Sequence, residues 1–190
     1  LKAIEAMIES GTLPDTVLLY RPHPWGNGGQ DGHRIIDEPW RHVRLERSMR
    51  GYLEQVKAGN LEKSLPDYRE TRDLLCHIDA LVSPLSTIIV EAARLGHPVL
   101  CFLPEDELQE AEHLRIAMPS VHFDALYDMP GVMVARSRQA MLKALPSLVA
   151  LSGDDAACER LRKATDVIVE PFDEPWGRRF TNLAEELVAA

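Results

Sequence analysis

Positions 77–102, HIDALVSPLSTIIVEAARLGHPVLCF, constrain the fold of this chain more than any other stretch. The segment reads as a helix end, a short buried strand, a polar turn, an amphipathic helix and a second buried strand. Positions 80–82 and 98–102 are the two apolar runs. Between them Leu85, Ile88, Ile89, Ala92 and Leu95 recur at helical spacing and define one buried face. Ser86 is placed to cap the first turn, and Gly96 followed by Pro98 stops the helix. On the flank of that helix Thr87, Glu91 and Arg94 form a polar stripe above the carboxyl end of a strand. Open α/β sheets bind ligands at that edge, and a helix amino terminus there favours anions. Hydroxyls at the helix start with a carboxylate one turn later suit a phosphate and a ribose. The expectation is a nucleotide-binding edge.

The same alternation runs through the chain. Helix is expected over 1–10, closed by Gly11, and a buried strand over 16–20. A Pro- and Gly-rich loop follows over 21–33, then a weak strand over 42–45. Helices are expected over 49–57, 67–76, 105–116, 137–148, 154–165 and 180–190, with a further strand over 131–135. The stretch 59–66 reads as a surface loop, and PFDEPWG as a turn before the last helix. Strands alternating with helices imply an α/β fold with a mainly parallel sheet covered on both faces.

With 190 residues and 45% hydrophobic content the chain has the size of one ordinary domain with a real core, taken here as 1–190. It opens within a helical pattern, so the expectation is one domain of a longer protein. A net charge of −9 argues against a broad nucleic-acid surface, which needs clustered Lys and Arg. Cys76, Cys101 and Cys158 are an odd number without CxxC spacing. The first and second lie in apolar segments and are expected to be buried free thiols in a reducing, cytoplasmic compartment. No run approaches the length of a membrane span.

The second chemical feature is Arg21-Pro22-His23-Pro24, directly after the first buried strand. Two prolines fix the loop and project Arg21 and His23 at the strand's carboxyl end. Arg21 suits a phosphate through its planar fork, and His23 suits hydrogen bonding or proton transfer. The competing reading is a rigid turn whose histidine satisfies backbone carbonyls. Gly26, Gly28, Gly29 and Gly32 miss the GxGxxG spacing, and no P-loop follows, so a mobile loop is the simpler reading. For Ser83, Ser86 and Thr87 the alternative is plain helix capping, and for Glu91 an ion pair with Arg94. His77, His97 and His113 read as structural, and His122-Phe123-Asp124 as a weak loop candidate. The tryptophans 25, 40 and 176 suit packing as well as base stacking. Asp154-Asp155 suit a helix start. HExxH, clustered Cys/His and GxSxG patterns are absent from the sequence.

Taken together, RPHP after a first strand and DALVSPLSTIIVEAARLGHPVLCF later resemble the carboxy-terminal half of GT-B glycosyltransferases. The resemblance is nearest to the surface-polysaccharide group that includes CDP-glycerol glycerophosphotransferases and capsule-polysaccharide enzymes. It rests on Arg21, His23, Pro24, Asp79, Ser83, Ser86, Thr87, Glu91, Gly96 and Pro98, and spans the central half of the chain. It implies a Rossmann-like domain, one half of a GT-B fold, binding a nucleotide-sugar or CDP-polyol donor in the cleft beside a missing amino-terminal acceptor domain. Ser86 and Thr87 would bind the diphosphate and Glu91 the ribose hydroxyls. His23 and Arg21 would stabilise charge on the leaving phosphate. No cofactor or bound metal is expected, and any membrane association would come through the rest of the protein. Position 83 is Ser where many retaining members carry an acid, which leaves the stereochemical course open. Two alternatives remain: a nucleotide-sugar 2-epimerase-like domain, against which Ser-Pro-Leu-Ser stands in place of Ser-Gly-Gly, and a non-catalytic α/β scaffold.

Overall fold

The computed structural model describes residues 1–22, 35–59, 67–104, 124–169 and 173–189. Eight α-helices and five strands are found among them. In chain order these are α1 (Lys2–Glu9), β1 (Leu18–Tyr20), β2 (Val43–Leu45), α2 (Arg47–Lys57), α3 (Tyr68–Leu75), β3 (Leu81–Ser83) and α4 (Ile88–Arg94). There follow β4 (Val99–Phe102), α5 (Asp124–Tyr127), β5 (Val132–Ala135), α6 (Arg138–Ser152), α7 (Asp155–Ala164) and α8 (Trp176–Ala189). Every strand pairing is parallel, as expected. The strands form two ladders, however: β1 with β2, and β3-β4-β5 with β4 central. The expected helix over 105–116 lies outside the described residues.

The central strand β4 organises the core through the twofold alternation of a strand. Val99 and Cys101 face a cluster built from α4 and α7, with Ile89, Ala92 and Leu161 fully buried. Leu100 faces the opposite way, against Ile4 and Ile8 of α1 and Leu145 and Leu148 of α6. Helices therefore cover both faces of the three-stranded ladder. Leu18 of β1 and Val82 of β3 pack into that second cluster, so the two ladders share one apolar layer without sharing hydrogen bonds. A third, smaller cluster seats α2 through Met49, Tyr52 and Leu53 against Ile35, Ile36 and Leu45.

Local chemistry sets the helix ends. Asp67, Ser137 and Asp154 cap α3, α6 and α7 by accepting from the amides of Arg69, Ala140 and Ala157. Asp154-Asp155 thus do start a helix. Gly96 ends α4 at φ +90°; its amide bonds the Ala93 carbonyl, and His97 bonds that of Ala92. That double bond pattern is a Schellman motif, which needs a left-handed residue where Gly96 stands. It also lets α4 approach α7 closely, because a Cβ at position 96 would lie 3.2 Å from the Cys158 carbonyl oxygen. Glu5 ties α1 to the start of β2: its Oε1 accepts from the amides of His42 (3.0 Å) and Arg41 (2.7 Å), which hold the carboxyl below its usual range.

Three expectations are corrected. Helix α6 runs through Pro146 to Ser152, one turn beyond the expected end at 148. A proline removes one amide bond but here does not end the helix, which Leu145 and Leu148 anchor in the core. Helix α8 starts at Trp176, inside the expected PFDEPWG turn, because Pro175 precedes it and its carbonyl accepts from the Arg178 and Arg179 amides. Cys76 is exposed rather than buried, since it caps the carboxyl end of α3 instead of continuing its apolar face.

Candidate functional site

Polar residues gather at the carboxyl ends of β1, β2 and β3: Arg21 and Ser83, singled out in the sequence, and Glu46, which was not. Arg21 follows the last residue of β1, Glu46 the last residue of β2, and Ser83 is the last residue of β3. The amide of Glu46 bonds the Tyr20 carbonyl (3.0 Å), which carries the β1–β2 ladder to this edge. Arg21 is half-buried. Its Nη2 donates to Thr71 Oγ1 at 2.8 Å, and that hydroxyl in turn donates to the Asp67 carbonyl at 3.3 Å. Helix α3 therefore positions the guanidinium. Thr71 and Glu46 are the residues sequence reasoning missed; the i−4 hydroxyl bond of Thr71 within a polar helix gave no signal of a partner at the end of β1.

Two carboxylates feel the Arg21 charge, and they differ in kind. Glu46 caps α2: Oε2 accepts from Ser48 Oγ (2.6 Å) and the Met49 amide (3.0 Å), and Oε1 from the Ser48 amide (3.0 Å). Burial alone would raise its carboxyl, but these bonds and Arg21 outweigh it and hold it below the usual range. Glu91, on α4, is half-buried, and its carboxylate makes no hydrogen bond or ion pair among the described residues. Burial raises its carboxyl above the usual range, against the pull of Arg21. The suggested Glu91–Arg94 pair is not formed. Arg94 turns to Asp166 at 2.6 Å and to the Arg162 carbonyl at 3.4 Å. Glu91 is left as a carboxylate within the field of a fixed arginine, with acceptor capacity unused.

The three hydroxyls separate. Ser83 is buried and spends its proton on the Pro84 carbonyl at 2.8 Å. Ser86 is half-buried, with Oγ 3.5 Å from the Ile88 amide, a long cap contact. Thr87 is exposed and makes no capping bond. Capping therefore accounts for Ser86 at most. Helix α4 itself is short, seven residues, so its dipole adds little to these side chains.

His23 lies outside the described residues, as do the glycine loop, Trp25, His113 and His122. The remaining histidines act structurally. His77 Nδ1 lies 2.6 Å from the Asp73 carbonyl, and His97 sits at the amino end of β4, where burial lowers its imidazole against the pull of the Leu75 backbone and Asp79. Trp40 is a packing residue whose Nε1 donates to the Ile35 carbonyl at 2.8 Å. Arg178 neighbours Glu174 at 4.0 Å.

Cys101 is fully buried in β4, and burial pushes its thiol up to about 11, so it is no nucleophile at neutral pH. Among the described residues, no group of three or more His, Cys, Asp or Glu is arranged to hold a metal ion, and no helix is long and apolar enough to cross a membrane. Comparison of the chain with protein-family models, with curated proteins and with solved structures found no match.

Proposed function

We propose that this chain is the donor-nucleotide-binding domain of a cytoplasmic glycosyl- or glycerophosphotransferase of surface or capsular polysaccharide synthesis. The observation that supports it most is Glu91: a half-buried carboxylate, raised by burial, without a hydrogen bond, within the field of Arg21 near the carboxyl edge of parallel strands. Perturbed groups with unused bonding capacity in such a position are what ligand sites are made of. Glu91 accepts the ribose hydroxyls. Thr87 and Ser86 donate to the diphosphate, and Arg21 and His23 stabilise the charge that builds on the leaving phosphate. The acceptor glycan and the base that activates it belong to an amino-terminal domain outside this chain. The donor is a nucleotide-sugar or CDP-polyol, bound without a metal.

Calorimetric titration of the chain with UDP, CDP, CMP and GDP, with and without magnesium, tests this. One nucleotide should bind in either condition, and Glu91→Ala and Thr87→Ala should each weaken it about tenfold, the loss of one good hydrogen bond to a charged group. Absence of binding by every nucleotide, in a chain whose circular dichroism is that of the folded domain, contradicts the proposal.

A further inference from the structure

Helix α8 is the one amphipathic element among the described residues whose apolar face is left in solvent. Trp176 is 61% exposed, Phe180 63%, Leu183 51%, Leu187 71% and Val188 89%. The first four recur at intervals of four, three and four, which is the seam spacing of paired helices. Trp176 and Phe180 are already stacked along that face, ring centroids 5.7 Å apart, with the Arg179 guanidinium 5.4 Å from the Trp176 ring centre. The charges are divided along the axis. Arg178 and Arg179 occupy the amino half, Glu185 and Glu186 the carboxyl half.

We propose that α8 pairs with α8 of a second copy of this chain, antiparallel and about a two-fold axis. A single register satisfies both the seam and the charges. Seating Phe180 against Leu183 of the partner subunit also seats Trp176 against Leu187 of the partner subunit. The same register brings Arg179 opposite Glu186 of the partner subunit, where residues flanking a seam form ion pairs that set orientation. Two-fold symmetry repeats each contact, as a self-complementary interface requires. A parallel pair would instead bring the basic halves together and the acidic halves together.

The area is adequate. From the exposures of the four seam residues, on the order of 500 Å² of apolar side-chain surface per copy is open, so about 1,000 Å² for the pair, at the lower bound of specific interfaces. An anionic lipid surface fits less well, because interfacial helices carry a basic polar face and this one carries Glu185 and Glu186 beside its arginines.

Sedimentation velocity of the chain, from low to several hundred micromolar, tests the proposal. A reversible dimer is expected, and Leu183→Asp with Leu187→Asp should leave only monomer. Arg179→Glu and Glu186→Arg should each weaken the dimer by about tenfold, because each reverses two symmetric pairs, and the two together should restore it to within about threefold. The charge exchange keeps the test decisive should the aspartates disturb the helix. A monomer at every concentration overturns the proposal, as does a dimer indifferent to both sets of changes or one that the double exchange fails to restore. A monomer that cosediments with anionic vesicles overturns it in favour of a membrane surface.

Discussion

Arg21 at the end of β1 and Thr71 in the middle of α3 are joined by a 2.8 Å hydrogen bond across fifty residues of sequence. Because Thr71 hands its own proton to the Asp67 carbonyl, the arginine meets a lone pair held in a fixed direction. That bond places a cation where Glu91 feels it, and the cation moderates the upward push that burial gives Glu91. Replacing Arg21 by Ala should therefore raise the Glu91 carboxyl further above the ordinary carboxylate range. Titration followed by carbon-detected NMR of the Glu91 side chain reads this directly. Thr71→Val, which leaves the cation in place but unanchored, should give a smaller shift of the same sign.

Ligand binding at this edge should carry the signature of that carboxylate. The folded-state value of Glu91 is raised, so protonation begins at a higher pH than for an ordinary glutamate. An ionised Glu91 accepts two ribose hydroxyl bonds, whereas a protonated one gives up part of that capacity. Nucleotide affinity should accordingly fall as pH drops through the raised value. In Glu91→Gln affinity should be lower at neutral pH and flat across the same window.

Glu46 provides the opposite sign. Its folded-state carboxyl lies below the usual range, so the stability it adds is present above the unfolded value and is lost as pH falls through the folded one. Glu46→Ala removes the cap of α2 and should reduce stability by about 1 kcal/mol at neutral pH, a typical cap contribution. The difference should shrink steadily below the unfolded carboxylate value. Urea unfolding of both proteins across the acid range measures it.

Gly96 joins two demands, a left-handed turn at φ +90° and an approach to Cys158 that would put a Cβ a tight 3.2 Å from its carbonyl oxygen. Gly96→Ala should reduce stability by about 2 kcal/mol, since a non-glycine residue in that region carries of order 1–3 kcal/mol of strain. Denaturant midpoints report it. By contrast Gly51→Ala, in the middle of α2 where a Cβ meets open space, should stabilise slightly.

Much of this architecture was legible in the sequence, for identifiable reasons. The five strands fall within two residues of where their apolar runs placed them, and for β4 and β5 turn residues mark the start, Gly96 and Pro98 before the one and Gly131 before the other. Most of the buried face expected for α4 follows from its spacing, since Leu85, Ile89 and Ala92 are buried, but Leu95 is 42% exposed because it caps the carboxyl end of the helix. The split into two ladders was not legible. Apolar runs state that a strand is buried, not which neighbour it bonds, and β1 and β3 share an apolar cluster through Leu18 and Val82 while belonging to different ladders. At the site, sequence proximity suggested Arg94 as the partner of Glu91. The fold gives Arg94 to Asp166, seventy-two residues away, and sets Arg21 near Glu91 instead. Local spacing names the residues at a helix flank, and only the packing of α3 and α7 decides which charges meet there.

The most direct measurement is a map of backbone-amide NMR shifts in this chain on titration with the nucleotide panel. The account predicts saturable changes confined to Arg21, His23, Thr71 and residues 83–91, the residues proposed to hold the donor, lost in Glu91→Ala. Changes centred elsewhere on the fold, or none at millimolar nucleotide, would contradict it.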